Sequence, residues 1–223
     1  MANELLVQLG LGAILSFAHY LGETASENLE KYHSMLISLS SGVFITVLFV
    51  DLLPVASKDN LNFSLMLLGF VAFHAIEKYV YQRHPKQWKE RKELSVAGFF
   101  FSNFLNGVAI VLMFQFDPQL AFLITIPLAF AELAQSTLLS HLIERMKERN
   151  TYKIVLSASV FLGAVVGSVL HLNGILTNNV FSFIIGTMFY IVIRDMLPRH
   201  KEGRLDMFLI GVVSMYLILM IFR

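Results

Sequence analysis

The chain contains eight long runs of apolar residues, separated by short segments that hold most of the charged and turn-forming residues. A run of about 20 apolar residues crosses a hydrocarbon core of about 30 Å as an α-helix. No extended alternation of polar and apolar positions indicates strands, and a helix satisfies its backbone hydrogen bonds within the segment. We therefore predict an all-α integral membrane protein with eight transmembrane helices. The predicted spans are 4–22, 34–57, 61–82, 95–114, 119–143, 153–172, 179–198 and 205–222.

The composition agrees with this pattern. Of the 223 residues, 56% are hydrophobic and 15% are charged, and the mean hydropathy is +0.66. A soluble domain of this length does not need so much apolar surface. The chain has no cysteine, which excludes a disulfide framework and a thiolate metal site. We expect the lipid bilayer as the main partner and no nucleic acid.

Basic residues are concentrated in every second connection, between spans three and four, five and six, and seven and eight. Lys and Arg are enriched in cytoplasmic loops. A simpler interpretation is that these are ordinary solvated loops, but their regular alternation favours a fixed orientation of the protein in the membrane. We predict a multi-pass protein of the plasma membrane with both termini outside. The basic residues are Arg83, Lys86, Lys89, Arg91, Lys92, Arg145, Lys147, Arg149, Lys153, Arg199, Lys201 and Arg204.

One motif occurs twice, as GVFITVLFVDLLP from Gly42 to Pro54 and as GTMFYIVIRDMLP from Gly186 to Pro198. Each copy has Gly, eight residues, Asp, an apolar residue, Leu and Pro. Leu-Gly-Ala precedes each copy and Leu-x-Gly follows it. Because the copies lie five spans apart, their membrane orientation is reversed, as in the inverted repeats of secondary transporters. We predict one membrane domain, 1–223, in a 3+2+3 arrangement: repeat A at 1–83, a central pair at 94–143 and repeat B at 153–223.

Polar side chains lie near the middle of the two central spans. Residues three or four positions apart share a helix face, and an antiparallel pair brings the two faces to a similar depth. A carboxylate there costs roughly 2.5–3.5 kcal/mol unless it is protonated, paired or hydrated. These residues either line a substrate pathway or hydrogen-bond across packed helices; for Glu132 we favour the pathway. The candidate pathway residues are Ser102, Asn103, Asn106, Glu132, Gln135 and Ser136.

The two Asp-x-Leu-Pro motifs are candidate gate regions. Pro54 and Pro198 lack a backbone N–H, so we expect them to end or kink their helices. Asp51 at the outer mouth and Asp195 at the inner mouth would attract cations. Capping of neighbouring helices is the alternative role for both carboxylates.

Several segments carry a family resemblance: Gly42 to Pro54, Leu-Leu-Gly-Phe and Glu-Lys in span three, Asn103-Phe104 with Gly107, and Gly186 to Pro198. On these residues the chain resembles the ZIP (Zrt/Irt-like) metal transporters over essentially its whole length. The resemblance implies eight helices arranged three, two, three, and transport of zinc, iron, manganese or related ions into the cytoplasm. It also implies an elevator-like motion of one helix bundle against another, and a homodimer. The divalent ion is a substrate, and no cofactor is expected.

The chain departs from the family at the metal site. The family typically has His-Asn-x-x-Asp/Glu-Gly in span four, where this chain has SNFLNG from Ser102 to Gly107. In span five, AELAQS retains Glu132 and Gln135 but lacks the family's His and Pro. Zinc prefers imidazole, carboxylate or thiolate ligands. We therefore expect either a loose site for a harder or partly hydrated cation or an inactive site.

Three inward-running helices end with His and Glu on one face. One interpretation is a shared group of metal ligands at the cytoplasmic exit. The other is that they are interfacial side chains satisfied by water or by basic neighbours. The pairs are His19 with Glu23, His74 with Glu77, and His141 with Glu144.

These features predict a membrane transporter that moves divalent cations toward the cytoplasm. The alternatives are a non-transporting relative that acts as a sensor or interaction partner, and a transporter of a non-zinc substrate. An enzyme is not expected, because the sequence has no phosphate-binding loop, no His-Glu-x-x-His helix and no Ser/His/Asp set at a plausible depth.

Overall fold

The computed structural model describes residues 2–26, 30–57, 59–83, 92–143, 149–170, 174–193 and 203–222. Within these ranges the chain is helical and contains no strand, which confirms the predicted all-α class. The helices are α1 (Ala2–Thr24), α2 (His33–Val47, continued by a π-helical turn at Leu48–Leu52 and an α turn at Leu53–Ala56), α3 (Asn60–Arg83), α4 (Lys92–Phe116), α5 (Pro118–Ile143), α6 (Arg149–Val169), α7 (Gly174–Ile191) and α8 (Leu205–Phe222). A 3-10 turn at Glu30–Tyr32 precedes α2.

Five helices in the described ranges are long and apolar enough to cross a membrane. Two more helices contain shorter apolar stretches, Asn60–Ile76 and Leu205–Ile221. These membrane-length helices support the expectation of a multi-pass membrane protein. The five membrane-length segments are Asn3–Thr24, Ser34–Leu52, Gly98–Phe116, Pro118–Thr137 and Arg149–Val169.

The surface of these helices suits a hydrocarbon environment. Large apolar side chains are widely exposed, among them Leu6 at 68%, Ile126 at 60% and Ile221 at 78%. Charged and amide side chains such as Glu132 and Asn103 are instead fully buried. A soluble protein rarely exposes contiguous apolar surface on this scale, so the distribution favours contact with lipid.

The helices pack in two groups of four. The first bundle contains α1, α4, α5 and α6, in which α4 packs on α6 and α1 packs on both α5 and α6. The second bundle consists of two helix pairs, α3 with α7 and α2 with α8, and these pairs meet mainly where the end of α2, residues 48–56, contacts α7. The two bundles meet mainly where α2 contacts α5 and where α7 contacts α4.

Four glycines allow the close pairs of the second bundle. Gly42 on α2 lies against the carbonyl oxygen of Phe208, and Gly211 on α8 lies against the backbone of α2. Gly69 and Gly186 make the corresponding contacts between α3 and α7. A Cβ atom at any of these four positions would overlap a backbone oxygen of the facing helix. Small residues at such crossings let membrane helices approach closely.

The first Asp-x-Leu-Pro motif forms a π turn and does not end its helix. Pro54 has no N–H, and its ring would clash with the carbonyl of Val50 in a regular α-helix. In the π turn the N–H of Leu53 bonds to the oxygen of Leu48, five residues earlier. In the second copy, residues 192 and 193 are also π-helical, at the same register of the motif as residues 48 and 49.

We expect Gly42→Ala to destabilise the protein by about 1–3 kcal/mol, because the added methyl group forces α2 and α8 apart. Gly10→Ala is the matched control, since a Cβ at Gly10 meets nothing within 4 Å. The measurement is the thermal unfolding midpoint of the detergent-purified protein. Equal midpoints for the two variants would show that the close approach at Gly42 is not required.

Candidate functional site

The centre of the first bundle contains a fully buried carboxylate, that of Glu132 on α5. Its Oε1 accepts a hydrogen bond of 2.7 Å from the side-chain amide of Asn106 on α4. Its Oε2 lies 2.8 Å from Nδ1 of His19 on α1. Glu132 thus joins three helices of the bundle through two short polar contacts.

His19 lies between two carboxylates. Its Nδ1 faces Glu132, and its Nε2 lies 3.3 Å from Oε1 of Glu23, one helical turn further along α1. The side chains of all three residues have no exposed surface. A buried charge is costly unless it is paired, and the imidazole is positioned to pair with either carboxylate.

Asn103 completes the cluster from α4. Its amide nitrogen lies 3.3 Å from Nδ1 and 3.5 Å from Nε2 of His19, and 3.5 Å from the carbonyl oxygen of Leu156. Its Oδ1 is buried and accepts no hydrogen bond from the described residues. The same holds for both carboxylate oxygens of Glu23, whose contact with His19 is an ion-pair contact at 3.3 Å. We call His19, Glu23, Asn103, Asn106 and Glu132 the buried polar cluster.

Close helix packing brings these side chains together. Gly22 on α1 lies against the carbonyl oxygen of Leu133 and the hydroxyl of Ser136, so that α1 approaches α5 one residue beyond Glu132. Gly107 and Gly163 allow a similar approach between α4 and α6. A Cβ at any of these three glycines would overlap the facing helix and push the two helices apart.

A cation lies beside the Glu23 end of the cluster. Lys153 on α6 donates a hydrogen bond of 3.0 Å to the backbone carbonyl oxygen of Glu23. This carbonyl belongs to the last turn of α1, where a helix carries partial negative charge and favours a cation. Lys153 therefore fixes the end of α1 against α6.

Of the predicted pathway residues, the structure brings together Asn103, Asn106 and Glu132. Ser102, Gln135 and Ser136 are buried on the same two helices. The hydroxyl of Ser136 donates to the carbonyl oxygen of Leu133 in its own helix. The hydrogen bonds of the buried polar cluster do not include Ser102 or Gln135.

Among the residues predicted near the cytoplasmic exit, the structure separates His19 and Glu23 from His74. His19 and Glu23 join Glu132 in the first bundle, whereas His74 lies in the second bundle with its Nδ1 3.3 Å from the Tyr190 hydroxyl. Glu144 and the side chains of Glu77 and His141 lie outside the described residues, so the position of the third pair remains a prediction.

Of the two predicted gate residues, Asp51 is buried within the π turn of α2. Asp195 lies outside the described residues. A gate role for the pair remains a prediction.

Sequence reasoning missed that His19 faces Glu132. A signal was present, because α1 and α5 are odd-numbered spans and run in the same predicted direction. His19 and Glu132 also lie at similar distances from the starts of their helices, Ala2 and Pro118. These two facts together would have placed both side chains at one depth.

The cluster combines one imidazole, two carboxylates and two amides, which are ligand types for divalent cations. Within the described ranges, no group of three or more His, Asp or Glu side chains is arranged around a common metal position. His19, Asn106 and Glu132 contact other members of the cluster instead. No protein-family model matches the chain, and no curated protein matches it significantly.

Proposed function

We propose that the protein is a multi-pass membrane transporter of ZIP-like architecture that moves divalent metal cations toward the cytoplasm. The proposal depends above all on one observation, the fully buried Glu132 carboxylate held by α1 and α4 inside the first bundle. Ionisable residues at membrane depth are rare and usually mark a pathway for ions or substrates. An anionic, oxygen-rich cluster is complementary to a divalent cation.

The division into two bundles supports a transport mechanism. Every member of the buried polar cluster belongs to the first bundle. The second bundle contacts it mainly through two helix pairs, α2 with α5 and α7 with α4. A bound ion would therefore travel with the first bundle if that bundle moved against the second, as in an elevator-like mechanism.

The pattern of helix packing supports eight spans related by an inverted repeat. Exchanging α1 with α6, α2 with α7, α3 with α8 and α4 with α5 leaves the main packed pairs unchanged: α1–α5 becomes α6–α4, and α2–α8 becomes α7–α3. The same exchange of helices also interchanges the glycines that begin the two copies of the motif. Gly42 and Gly186 occupy the same position of the motif, and each lies against a backbone carbonyl of the other repeat's last helix.

Helix directions agree with alternating spans. Ser16 on α1 bonds to the carbonyl of Ser157, and Glu23 further along α1 bonds to Lys153 earlier in α6. The two helices therefore run in opposite directions, as spans one and six should. The placement of Lys and Arg in alternate connections supports cytoplasmic basic loops and outward termini.

A non-transporting relative is the second candidate. The observation in its favour is that both oxygens of Glu132 already have partners within the protein, Asn106 and His19. Such a network could serve only to hold three helices together. Flux measurements separate the two candidates.

Single cysteines test the orientation, because the natural chain contains none. We expect Asn60→Cys, an exposed position at the start of α3, to react with a membrane-impermeant maleimide on intact cells. Asn150→Cys, exposed at the start of α6, should react only after the cells are permeabilised. The reverse result would invert the proposed topology, and labelling of both sites on intact cells would refute alternating spans.

Flux into liposomes tests transport. We expect the purified protein to move at least one of Zn²⁺, Fe²⁺, Mn²⁺, Co²⁺ and Mg²⁺. Glu132→Gln should reduce this flux at least about tenfold, equivalent to about 1.4 kcal/mol, because the buried polar cluster loses a negative charge. Glu4→Gln is the control, since Glu4 is exposed near the other end of α1.

The absence of flux for all five ions in correctly folded protein would refute the transport proposal and favour the non-transporting candidate. Measurable and equal flux for Glu132→Gln and Glu4→Gln would instead show that transport does not depend on the Glu132 carboxylate.

A further inference from the structure

We propose that α1 supplies the metal ligands of this protein, with a divalent transition-metal ion bound by His19 Nε2, the Glu23 carboxylate and Asn103 Oδ1. The inference rests on the proposed function, because it names the ligands of the same site. The motif positions on α4 and α5 hold Ser102 and Ala131, so those two helices offer no imidazole at the centre of the bundle. In the buried polar cluster the imidazole comes from α1.

The first argument is the state of the oxygen atoms. Oδ1 of Asn103 is buried and accepts no hydrogen bond from the described residues. The Glu23 carboxylate is also buried, and its contact within the described residues is the 3.3 Å ion-pair contact of Oε1 with His19 Nε2. Leaving a buried acceptor unsatisfied is unfavourable, and more so for a charged group. A metal ion beside Nε2 would supply these oxygens with a cationic partner.

The second argument is a distance. His19 Nε2 and Glu23 Oε1 are 3.3 Å apart, longer than an ordinary N–H···O hydrogen bond. Two ligand atoms that each lie about 2.0–2.2 Å from one metal ion are separated by about 3.0–3.5 Å. The observed separation therefore fits two ligands of a common ion without a large movement of α1.

The third argument is the position of Glu132. A metal-binding histidine typically uses one ring nitrogen for the metal and donates its other N–H to a carboxylate, which fixes the tautomer and the ring orientation. Here Nδ1 of His19 lies 2.8 Å from Glu132 Oε2. Glu132, itself held by Asn106, is thus a positioning residue, and Nε2 is left for the metal.

The ligand set also determines which ions bind. One imidazole with a carboxylate and an amide oxygen suits Zn²⁺, Co²⁺, Fe²⁺ or Mn²⁺. Mg²⁺ and Ca²⁺ prefer sites made of oxygen atoms alone. The contribution of His19 therefore selects transition-metal ions over Mg²⁺ and Ca²⁺.

Co²⁺ binding to the full-length protein in lipid nanodiscs tests this assignment, with the visible absorption of bound Co²⁺ as the readout. We expect His19→Gln and Glu23→Gln to weaken binding by at least about 100-fold, and Glu132→Gln by about 10- to 100-fold, because loss of an outer partner costs less than loss of a ligand. Glu4→Gln should bind like the natural protein. A large excess of Mg²⁺ should not displace Co²⁺ from the natural protein but should displace it from His19→Gln.

The relative losses of Co²⁺ binding in the three variants decide whether the ligand assignment holds. If Glu132→Gln abolishes binding while His19→Gln and Glu23→Gln bind normally, the assignment to α1 is wrong and the transport proposal stands. If the natural protein neither binds nor moves any divalent ion, both proposals fail. Glu23→Gln preserves the size of the side chain, so it tests the site even if His19→Gln does not fold.

Discussion

A carboxylate inside a lipid-embedded bundle must obtain its hydrogen bonds from the protein. In this chain the constraint applies to Glu132. Its two oxygens are satisfied at 2.7 and 2.8 Å by Asn106 and His19. Both partners lie on other helices, so these contacts fix the relative depth and the relative rotation of α1, α4 and α5. Hydrocarbon cannot hydrogen-bond to a carboxylate, so these contacts specify one relative position of the three helices. Apolar packing alone would allow the helices to slide along one another.

The two bundles use different physical means of association. In the second bundle, helices pair through glycine contacts with facing backbone, as at Gly42 and Gly186. In the first bundle, similar close contacts at Gly22 and Gly107 also bring polar side chains within bonding distance. Apolar packing is nearly as favourable against lipid as against protein. A few helix pairs between the bundles therefore resist relative movement less than a polar network would, and the network lies wholly within one bundle.

Local patterns predicted much of the fold and part of the site. Hydrophobic runs predicted the helices because membrane length and composition are properties of a single segment. Asn106 and Glu132, two of the six polar residues expected at a similar depth, are in contact, because helix periodicity and a short connection between two neighbouring helices fix relative depth. His19 was not assigned to Glu132, since residues 113 apart in sequence meet only through the packing of α1 on α5. The π turn at Asp51 was also missed, because proline removes a donor without specifying how the helix rearranges.

This difference bears on how a ligand site can be recognised from a sequence. A motif such as Ser102 to Gly107 records which side chains one helix contributes, whereas a ligand site is defined by the atoms that converge. His19 converges on Glu132 because Gly22 allows α1 to approach α5 closely. An imidazole on α1 can therefore serve the same volume as one on α4 or α5. In the proposed ligand set the imidazole beside Glu132 therefore comes from α1, although the segment Ser102 to Gly107 contains no histidine.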